Sequence, residues 1–315
     1  MQVELLGTGG PRGWPEPGCR CASCTRMRAA GHHWAPTRVE IGGLPVERCP
    51  GRDVPGGRDV RPPGGGRLLV AAGPDARPEP AEPGPYDVVL LDLIGAPDHL
   101  ARLRRMGTVT ADTHIRAVHN DHRISSPAEL VRRLAWWTRP PADHGRTLVL
   151  GGTRSGKSAE AELRLAAHPA VTYVATGPDP GDDADWSARI EAHRERRPSW
   201  WNTVETSDLA KVLLTADGAL LIDGIGTWLA AAMDETGAWE APEAVRSRVD
   251  ELIMAWRTTD AHVVAVSDEA GLSLVPATPA GRNFQDVLGR LNQRLAAESE
   301  EVVLVVAGRV VELPG

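Results

Sequence analysis

The strongest constraint on the fold lies mid-chain, where an apolar strand runs directly into a complete phosphate-binding loop. Residues 146–158 read Arg-Thr-Leu-Val-Leu-Gly-Gly-Thr-Arg-Ser-Gly-Lys-Ser and satisfy the pattern G-x-x-x-x-G-K-[ST]. In such loops backbone N–H groups surround phosphate oxygens, the lysine reaches the β- and γ-phosphates, and the last hydroxyl coordinates Mg²⁺. A segment rich in Ala, Glu and Leu follows, which predicts a helix whose N-terminus faces the bound anion. The residues predicted to bind nucleotide phosphates are Gly151, Gly152, Thr153, Arg154, Ser155, Gly156, Lys157 and Ser158. The alternative is an ordinary glycine-rich turn between a strand and a helix.

Size and charge narrow the class of protein. The chain has 315 residues, of which 42% are hydrophobic, enough for two folded domains with sizeable cores. No apolar run approaches the roughly 20 residues that span a bilayer, and the N-terminus lacks the basic start of a signal peptide. The net charge of −7 leaves no basic footprint for nucleic acid. We therefore expect a cytoplasmic protein with no membrane span and no nucleic-acid partner.

Composition divides the chain at the polar, Pro-containing segment 138–145 into domains at 1–145 and 146–315. In the second, apolar runs alternate with helical patterns, which is typical of βαβ units on a mostly parallel sheet. The predicted strands there are Thr147–Leu150, Val171–Thr176, Ala219–Asp223, Val263–Ser267 and Val302–Ala307. In the first, residues 49–85 are dense in Gly, Pro and Arg, and only Leu68–Ala72 looks like a strand. We expect the rest of that stretch to be irregular.

Three of the four cysteines fall within six residues. Cys19, Cys21 and Cys24 are too close together for an ordinary disulfide framework and favour a metal-binding turn. Tetrahedral zinc needs a fourth ligand, for which Cys49, His32 and His33 are candidates. The alternative is a turn with free thiols.

A predicted helix at 185–197 carries a basic face. Arg189, His193 and Arg197 recur every four residues and therefore lie on one side. A neutral imidazole among phosphate-binding arginines is a candidate nucleophile at phosphorus. The alternative is a solvated charged face with an incidental histidine.

Asp223 ends the apolar strand Ala-Leu-Leu-Ile-Asp. An acid at this position in a phosphate-loop domain usually meets the magnesium ion or its water, so Ser158 and Asp223 are the predicted Mg²⁺ ligands. The alternative role for Asp223 is a helix cap.

Several segments together resemble the bifunctional adenosylcobinamide kinase/adenosylcobinamide-phosphate guanylyltransferase family. The matching stretches are 151–158, 173–176, 189–205, 221–229, 275–276, 282–293 and 305–308. The resemblance implies a RecA-like P-loop fold. It also implies an enzyme that phosphorylates adenosylcobinamide and then transfers GMP from GTP to adenosylcobinamide phosphate, giving adenosylcobinamide-GDP in cobalamin nucleotide-loop assembly. It implies a guanylylated histidine at the position of His193, which joins Lys157 and Asp223 of the phosphate-loop domain as the predicted catalytic residues. It also implies nucleotide contacts by Arg189, Arg197 and Glu205, with ATP, GTP and Mg²⁺ as substrates and cofactor. A homo-oligomer, with a trimer as the suggested form, completes the implied picture.

The sequence departs from the family pattern at Asp268, Ala270, Ser273 and Gln285, which we expect to weaken substrate affinity or one activity. Two alternatives stay open: another P-loop small-molecule kinase in which His193 is structural, and a GTP-binding module without turnover.

Residues 1–145 resemble a truncated metallo-β-lactamase-like α/β domain. The resemblance rests on Leu-Leu-Gly-Thr-Gly-Gly at 5–10, the cysteine turn, the strand 86–92 and Val-His-Asn-Asp-His at 118–122. The metal-binding run H-x-H-x-D-H of such hydrolases is absent from the sequence. His119, Asp121 and His122 suffice for at most one metal ion, so we predict a degenerate domain without hydrolase activity.

Overall fold

The computed structural model describes residues 2–73, 75–142, 144–177, 188, 191 and 194–315. The chain forms two compact units. The first comprises Met1–Pro141 with Ala166–Pro169, and the second comprises Ala142–Leu165 with Ala170–Gly315.

The first unit contains two sheets and three described α-helices. Strands β1 (Val3–Leu5), β2 (Val39–Ile41) and β3 (Leu44–Pro45) form an antiparallel sheet. The second sheet has the order β4-β5-β6-β7-β8, with β6, β7 and β8 parallel to one another. Its strands are β4 (Gly51–Val54), β5 (Gly57–Val60), β6 (Leu68–Ala71), β7 (Val88–Leu91) and β8 (His114–Ala117). The helices are α1 (Ala22–Ala29), α2 (Asp98–Arg105) and α3 (Pro127–Trp137).

The prediction of an irregular stretch at 49–85 is wrong, because it contains the hairpin β4–β5. The sequence Gly-Arg-Asp-Val occurs in both strands, and antiparallel pairing sets Arg52 opposite Asp59 and Asp53 opposite Arg58. Opposite charges across a strand pair stabilise it. A Pro-Gly turn joins the strands, and Gly57 has no room for a side chain, since a Cβ there would lie 1.8 Å from the Val70 carbonyl oxygen.

The second unit is built on a seven-stranded sheet with the order β11-β10-β12-β13-β9-β14-β15. All pairs are parallel except β14–β15. The strands are β9 (Gly145–Gly151), β10 (Val171–Ala175), β11 (Asn202–Glu205), β12 (Ala219–Asp223), β13 (His262–Asp268), β14 (Glu301–Val306) and β15 (Arg309–Leu313). The five predicted strands are present; β11 and β15 were not predicted. The mostly parallel α/β architecture is confirmed.

Helices cover both faces of this sheet. The α-helices whose full length the structure describes are α4 (Lys157–Leu165), α5 (Leu209–Thr215), α6 (Ile225–Thr236), α7 (Arg246–Thr258) and α8 (Pro279–Ala297). Along β12, Leu220 and Ile222 join one core with α5 to α8, whereas Leu221 joins the opposite core with α4. Strands apolar on both faces are what a parallel sheet between helices requires.

The register of the sheet brings the carboxyl ends of four strands to one edge. Asp268 of β13 pairs with Gly151 of β9, Asp223 of β12 pairs with Val266 of β13, and Ala175 of β10 pairs with Asp223. Ligands of open α/β sheets bind at this edge. Over the described part of the chain, no helix combines the length and apolar character needed to cross a membrane.

Candidate nucleotide-binding site

The phosphate loop is a tight turn between the end of β9 and the start of α4. Gly156 has φ +99°, a left-handed conformation that favours glycine. A Cβ on Gly151 would lie 2.4 Å from Ser155 Oγ and 2.8 Å from the Val305 carbonyl oxygen. The Ser155 carbonyl accepts a hydrogen bond from the Gly308 N–H at 2.8 Å, which ties the loop to the turn after β14. The predicted strand–loop–helix context is therefore present.

Lys157 lies at the edge where the strands end. Its Nζ is 2.8 Å from Asp268 Oδ1 at the end of β13 and donates to the Gly152 carbonyl at 3.2 Å. The lysine therefore already binds one anionic group, the Asp268 carboxylate, beside the phosphate loop. A phosphate oxygen is the other kind of anion that this ammonium group can bind.

Ser158 and Asp223, the predicted Mg²⁺ ligands, are adjacent. The Ser158 hydroxyl donates to Asp223 Oδ1 at 3.3 Å, and the Tyr173 hydroxyl donates to Asp223 Oδ2 at 3.1 Å. Burial, and next the negative charge of Asp223, raise the pKa of Tyr173, so its hydroxyl remains a donor. A hydroxyl and a carboxylate oxygen side by side are ligands that suit Mg²⁺.

Two arginines hold the end of the predicted 185–197 helix beside this acid. The Arg197 guanidinium lies 3.6 Å from the centroid of the Tyr173 ring, whose hydroxyl binds Asp223. Arg196 pairs with Glu162 of α4 through contacts of 2.8 and 3.0 Å. The predicted nucleophile His193 and the predicted nucleotide contact Arg189 lie outside the described residues.

Glu205, the remaining predicted nucleotide contact, is the exposed last residue of β11 and pairs in register with Ala175. It is on the same edge as Asp223 but two strands away, a separation of about 10 Å at ordinary strand spacing. Glu205 and Asp223 are therefore too far apart to contact the same phosphate group directly.

Two threonines that the sequence did not mark as site residues, Thr176 and Thr227, position the turn after Asp223. The Gly224 N–H donates to Thr176 Oγ1 at 3.1 Å. Thr176 Oγ1 is 2.6 Å from both the Gly224 carbonyl oxygen and Thr227 Oγ1. Both lie in stretches that carried the family resemblance, and that was the available signal.

Comparison with known families identifies the second unit. Residues 147–313 match the family model described as cobinamide kinase / cobinamide phosphate guanyltransferase. The chain belongs to this family. The predicted family and enzyme class, a bifunctional kinase and guanylyltransferase of cobalamin biosynthesis, are confirmed.

Curated relatives agree. The chain is 38% identical over 174 residues to the bifunctional adenosylcobalamin biosynthesis protein CobU of Salmonella typhimurium, covering 51% of this chain and 95% of that protein. The protein of the same name from Escherichia coli is 36% identical over 174 residues, again with 51% and 95% covered. CobP of Pseudomonas aeruginosa is 34% identical over 176 residues, with 54% of this chain and 98% of that protein covered.

The departures from the cobinamide kinase/guanyltransferase pattern are connected in the structure. Asp268 faces Lys157, so a carboxylate here contacts the lysine of the phosphate loop. Gln285 and Ser273 both donate to the Ala270 carbonyl, at 2.5 and 2.6 Å. The last three departures are therefore joined by hydrogen bonds, with Ala270 and Ser273 in the turn after β13 and Gln285 on the facing helix α8.

A groove of about 790 Å³ begins beside this turn and runs along α8. Glu269, Gln285, Asp286 and Arg290 are among the residues that line it. Its volume is within the range of small-molecule sites, and its lining is polar and charged at the end next to Asp268.

The cysteines of the first unit form a second site. Cys19, Cys21 and Cys24 come together as predicted, and the ligand atoms of these three and His122 all lie within 4.8 Å of one another. None of the fourth ligands proposed from sequence joins them: Cys49 is buried in another core, with its thiol 3.6 Å from the Pro45 carbonyl oxygen. Burial raises the pKa of the Cys24 thiol to about 11, whereas the Cys24 N–H lowers the pKa of Cys21.

The hypothetical metal group of His119, Asp121 and His122 does not form. Arg123 Nε binds Asp121 at 2.8 Å, and the same guanidinium binds both oxygens of Asp92 at 2.8 and 3.0 Å. His122 Nδ1 instead lies 3.7 Å from Cys24 Sγ. The cysteine cluster is the one group of three or more metal-ligating side chains found among the described residues.

Proposed function

We propose that the second unit phosphorylates adenosylcobinamide with a nucleoside triphosphate and then transfers GMP from GTP to adenosylcobinamide phosphate, giving adenosylcobinamide-GDP. The single observation that carries this proposal is the complete phosphate loop, with Ser158 bonded to Asp223, in a chain of this family. The chemistry follows from phosphoryl-transfer principles applied to these residues.

In the kinase step, the substrate hydroxyl oxygen forms a bond to the γ-phosphorus, the γ-phosphoanhydride bond breaks, and a nucleoside diphosphate leaves. The hydroxyl proton passes to water. Lys157 exchanges Asp268 for a phosphate oxygen and stabilises the charge that accumulates on the transferred group. Backbone N–H groups of the loop and the start of α4 stabilise the same charge.

In the guanylyl step, we propose that an imidazole nitrogen of His193 forms a bond to the α-phosphorus of GTP and that pyrophosphate leaves. A phosphate oxygen of adenosylcobinamide phosphate then attacks the same phosphorus and releases the histidine. Arg197, held over Tyr173 near the Asp223 carboxylate, is positioned to neutralise phosphate charge.

Ser158 and Asp223 would hold Mg²⁺, since they offer two hard oxygen ligands side by side. The ion, when bound, neutralises negative charge on the phosphates. Tyr173 fixes the other carboxylate oxygen and thereby orients the ligand.

The test is incubation of the full chain with α-labelled GTP, followed by denaturation. We expect an acid-labile, covalent label on the protein that adenosylcobinamide phosphate discharges. His193→Ala should abolish the label and leave phosphorylation of adenosylcobinamide intact, whereas His33→Ala, which removes an exposed histidine of the first unit, should change neither.

The same experiment separates the alternatives. Kinase activity with no label in the wild-type chain would favour a simple P-loop small-molecule kinase, and GTP binding with neither activity would favour a binding module. Unchanged nucleotide binding in Lys157→Ala would contradict the proposed role of the loop.

We further propose that residues 1–145 are a metallo-β-lactamase-like remnant without hydrolase activity, and that the protein acts in the cytoplasm as a homo-oligomer, in the trimeric form that the resemblance suggests. The pairing of Arg123 with Asp92 and Asp121 supports the loss of hydrolase activity, because the guanidinium binds the carboxylates that would otherwise coordinate a metal ion. Phosphodiesterase assays of the full chain with Mn²⁺ or Zn²⁺ test this loss of activity.

Sedimentation of the full chain tests the oligomeric state.

A further inference from the structure

The cysteine turn at the start of the first unit has the dimensions of a tetrahedral metal site. The four candidate ligand atoms, from Cys19, Cys21, Cys24 and His122, all lie within 4.8 Å of one another. Zinc–sulfur bonds of about 2.3 Å in tetrahedral geometry place the sulfurs about 3.8 Å apart, and a nitrogen ligand slightly closer. The 3.7 Å between Cys24 Sγ and His122 Nδ1 agrees with that spacing. We propose that these four residues bind one structural zinc ion.

Local structure prepares the sulfurs for this role. Cys21 is the N-cap of α1, and its sulfur accepts the Cys24 N–H at 3.4 Å. The sulfur of Cys24 accepts the Glu16 N–H, also at 3.4 Å. N–H groups that donate to a sulfur favour the thiolate, which is the form that binds metal, although burial opposes this effect at Cys24.

The turn itself is closed by an arginine of α1. Arg28 donates to the carbonyl oxygens of Cys19 and Glu16, the latter at 3.3 Å. These contacts hold the residues before the helix against the helix, so all three cysteines face one point without a disulfide.

His122 comes from a distant part of the chain, in the loop after β8. Arg26 of α1 fixes this loop by donating to the Ser125 carbonyl at 3.1 and 2.9 Å. His122 Nδ1 also lies 3.4 Å from the Glu16 carboxylate, which has Arg12 as a second partner at 2.5 Å. Binding of Nδ1 to zinc therefore leaves Glu16 paired.

The site differs in chemistry from the neighbouring acids. Asp92 and Asp121 are both paired with Arg123, so they do not form a second metal site with the imidazole of the adjacent His122. The expected content is one zinc ion per chain.

Zinc in this position would join two segments that share a small core. Cys24 and Met27 of α1 pack with Trp14, Ile124 and Leu130. A metal bond between α1 and the 119–125 loop closes a chain segment of about a hundred residues, for which loop-closure entropy is large. We expect the zinc to contribute to the stability of the first unit.

The test uses the full chain, purified with a reductant and desalted, with zinc measured by mass spectrometry and cobalt binding measured by absorption. We expect one zinc per chain and, after exchange, the thiolate charge-transfer and visible bands of tetrahedral Co²⁺. Cys21→Ser and His122→Gln should each weaken metal affinity by about 100-fold or more and alter the cobalt spectrum. Both positions are at least partly exposed, so the fold should tolerate these changes.

Matched controls come from the rejected ligands. His33→Gln and His119→Gln should keep one zinc and the unaltered spectrum. The proposal is overturned if the wild-type chain binds neither zinc nor cobalt under reducing conditions, if the purified protein contains a disulfide among the three cysteines instead, or if His122→Gln retains wild-type zinc affinity and spectrum.

Discussion

At the scale of single residues, the Asp268 carboxylate competes with a nucleotide phosphate for binding to Lys157 of the phosphate loop. The Asp268 carboxylate lies 2.8 Å from the Lys157 ammonium. We expect Asp268→Asn to raise nucleotide affinity, because phosphate no longer has to displace a carboxylate from Lys157. A half-exposed ion pair contributes at most about 1 kcal/mol, so the gain should be about two- to fivefold in Kd, measured by calorimetric titration.

Glu269→Gln serves as the control, since it removes the adjacent charge, which lines the groove along α8. Its nucleotide affinity should remain close to that of the wild-type chain. Weaker binding in Asp268→Asn would contradict the competition and would instead make the carboxylate a direct contributor to nucleotide binding.

Tyr173 provides a second prediction for a single residue, as a positioning group for Asp223. Tyr173→Phe removes the 3.1 Å hydrogen bond to Asp223 Oδ2 and keeps the ring beneath Arg197. We expect the Mg²⁺ concentration for half-maximal kinase activity to rise about tenfold, with nucleotide affinity in the absence of Mg²⁺ unchanged. An equal loss with and without Mg²⁺ would show that the ring, rather than the hydroxyl, matters.

At the scale of elements, a buried charge network joins three strands of the first unit. Asp59 of β5 accepts from Arg67 before β6 at 2.7 Å and from Tyr86 before β7 at 2.7 Å. Burial opposes ionisation of Asp59, but these hydrogen bonds outweigh burial and lower its pKa. The Asp59 carboxylate therefore stabilises the sheet at every pH at which it is ionised.

The pH dependence follows from that lowered pKa. Stabilisation by Asp59 is fully present above its ordinary pKa of 3.8 and is lost as pH falls through the lower value of the folded chain. We expect Asp59→Asn to lower the free energy of unfolding by about 3–5 kcal/mol at pH 7, since Arg67 is left charged and buried. The difference from the wild-type chain should shrink below pH 3.8, as measured by urea unfolding.

Asp53→Asn, on the same hairpin, is the matched control. Its side chain is 83% exposed and pairs with Arg58, so the change should cost no more than about 1 kcal/mol. A difference between Asp59→Asn and wild type that is constant over the pH range would contradict the ionised network.

The elements also show where sequence patterns were sufficient. The buried parallel strands were recognised because apolar runs between helical patterns have few other solutions. The hairpin β14–β15 was missed because Ala307-Gly308 is an inconspicuous turn sequence, although both residues have positive φ, as a two-residue hairpin requires. β4–β5 was missed because glycine and arginine conceal the strand signal, which lies in the pairing of opposite charges.

At the scale of the whole molecule, about half of the chain accounts for almost the full length of its relatives. The Salmonella protein is 95% covered by an alignment that uses 51% of this chain. The second unit also has cores on both faces of its own sheet. We expect a chain that begins at Ala142 to fold and to bind nucleotide within about fivefold of the full chain, a difference of about 1 kcal/mol.

Circular dichroism and calorimetric titration of that fragment test the prediction. Ala166–Pro169 belong to the first unit, so this short segment of the fragment loses its packing partners when the first unit is removed. A fragment that is unfolded or fails to bind nucleotide would mean that the first unit is needed for the fold of the second.

The sequence by itself determined the phosphate loop, the parallel strands and the family, because these depend on local spacing and on residue types with few alternative roles. It also identified the three cysteines. Tertiary structure alone decided that Asp268 pairs with Lys157, that the Tyr173 hydroxyl donates to Asp223, and that His122 joins the cysteine cluster. Each of these contacts joins residues far apart in the chain, and their distance in space depends on strand register and loop packing, which local patterns do not encode.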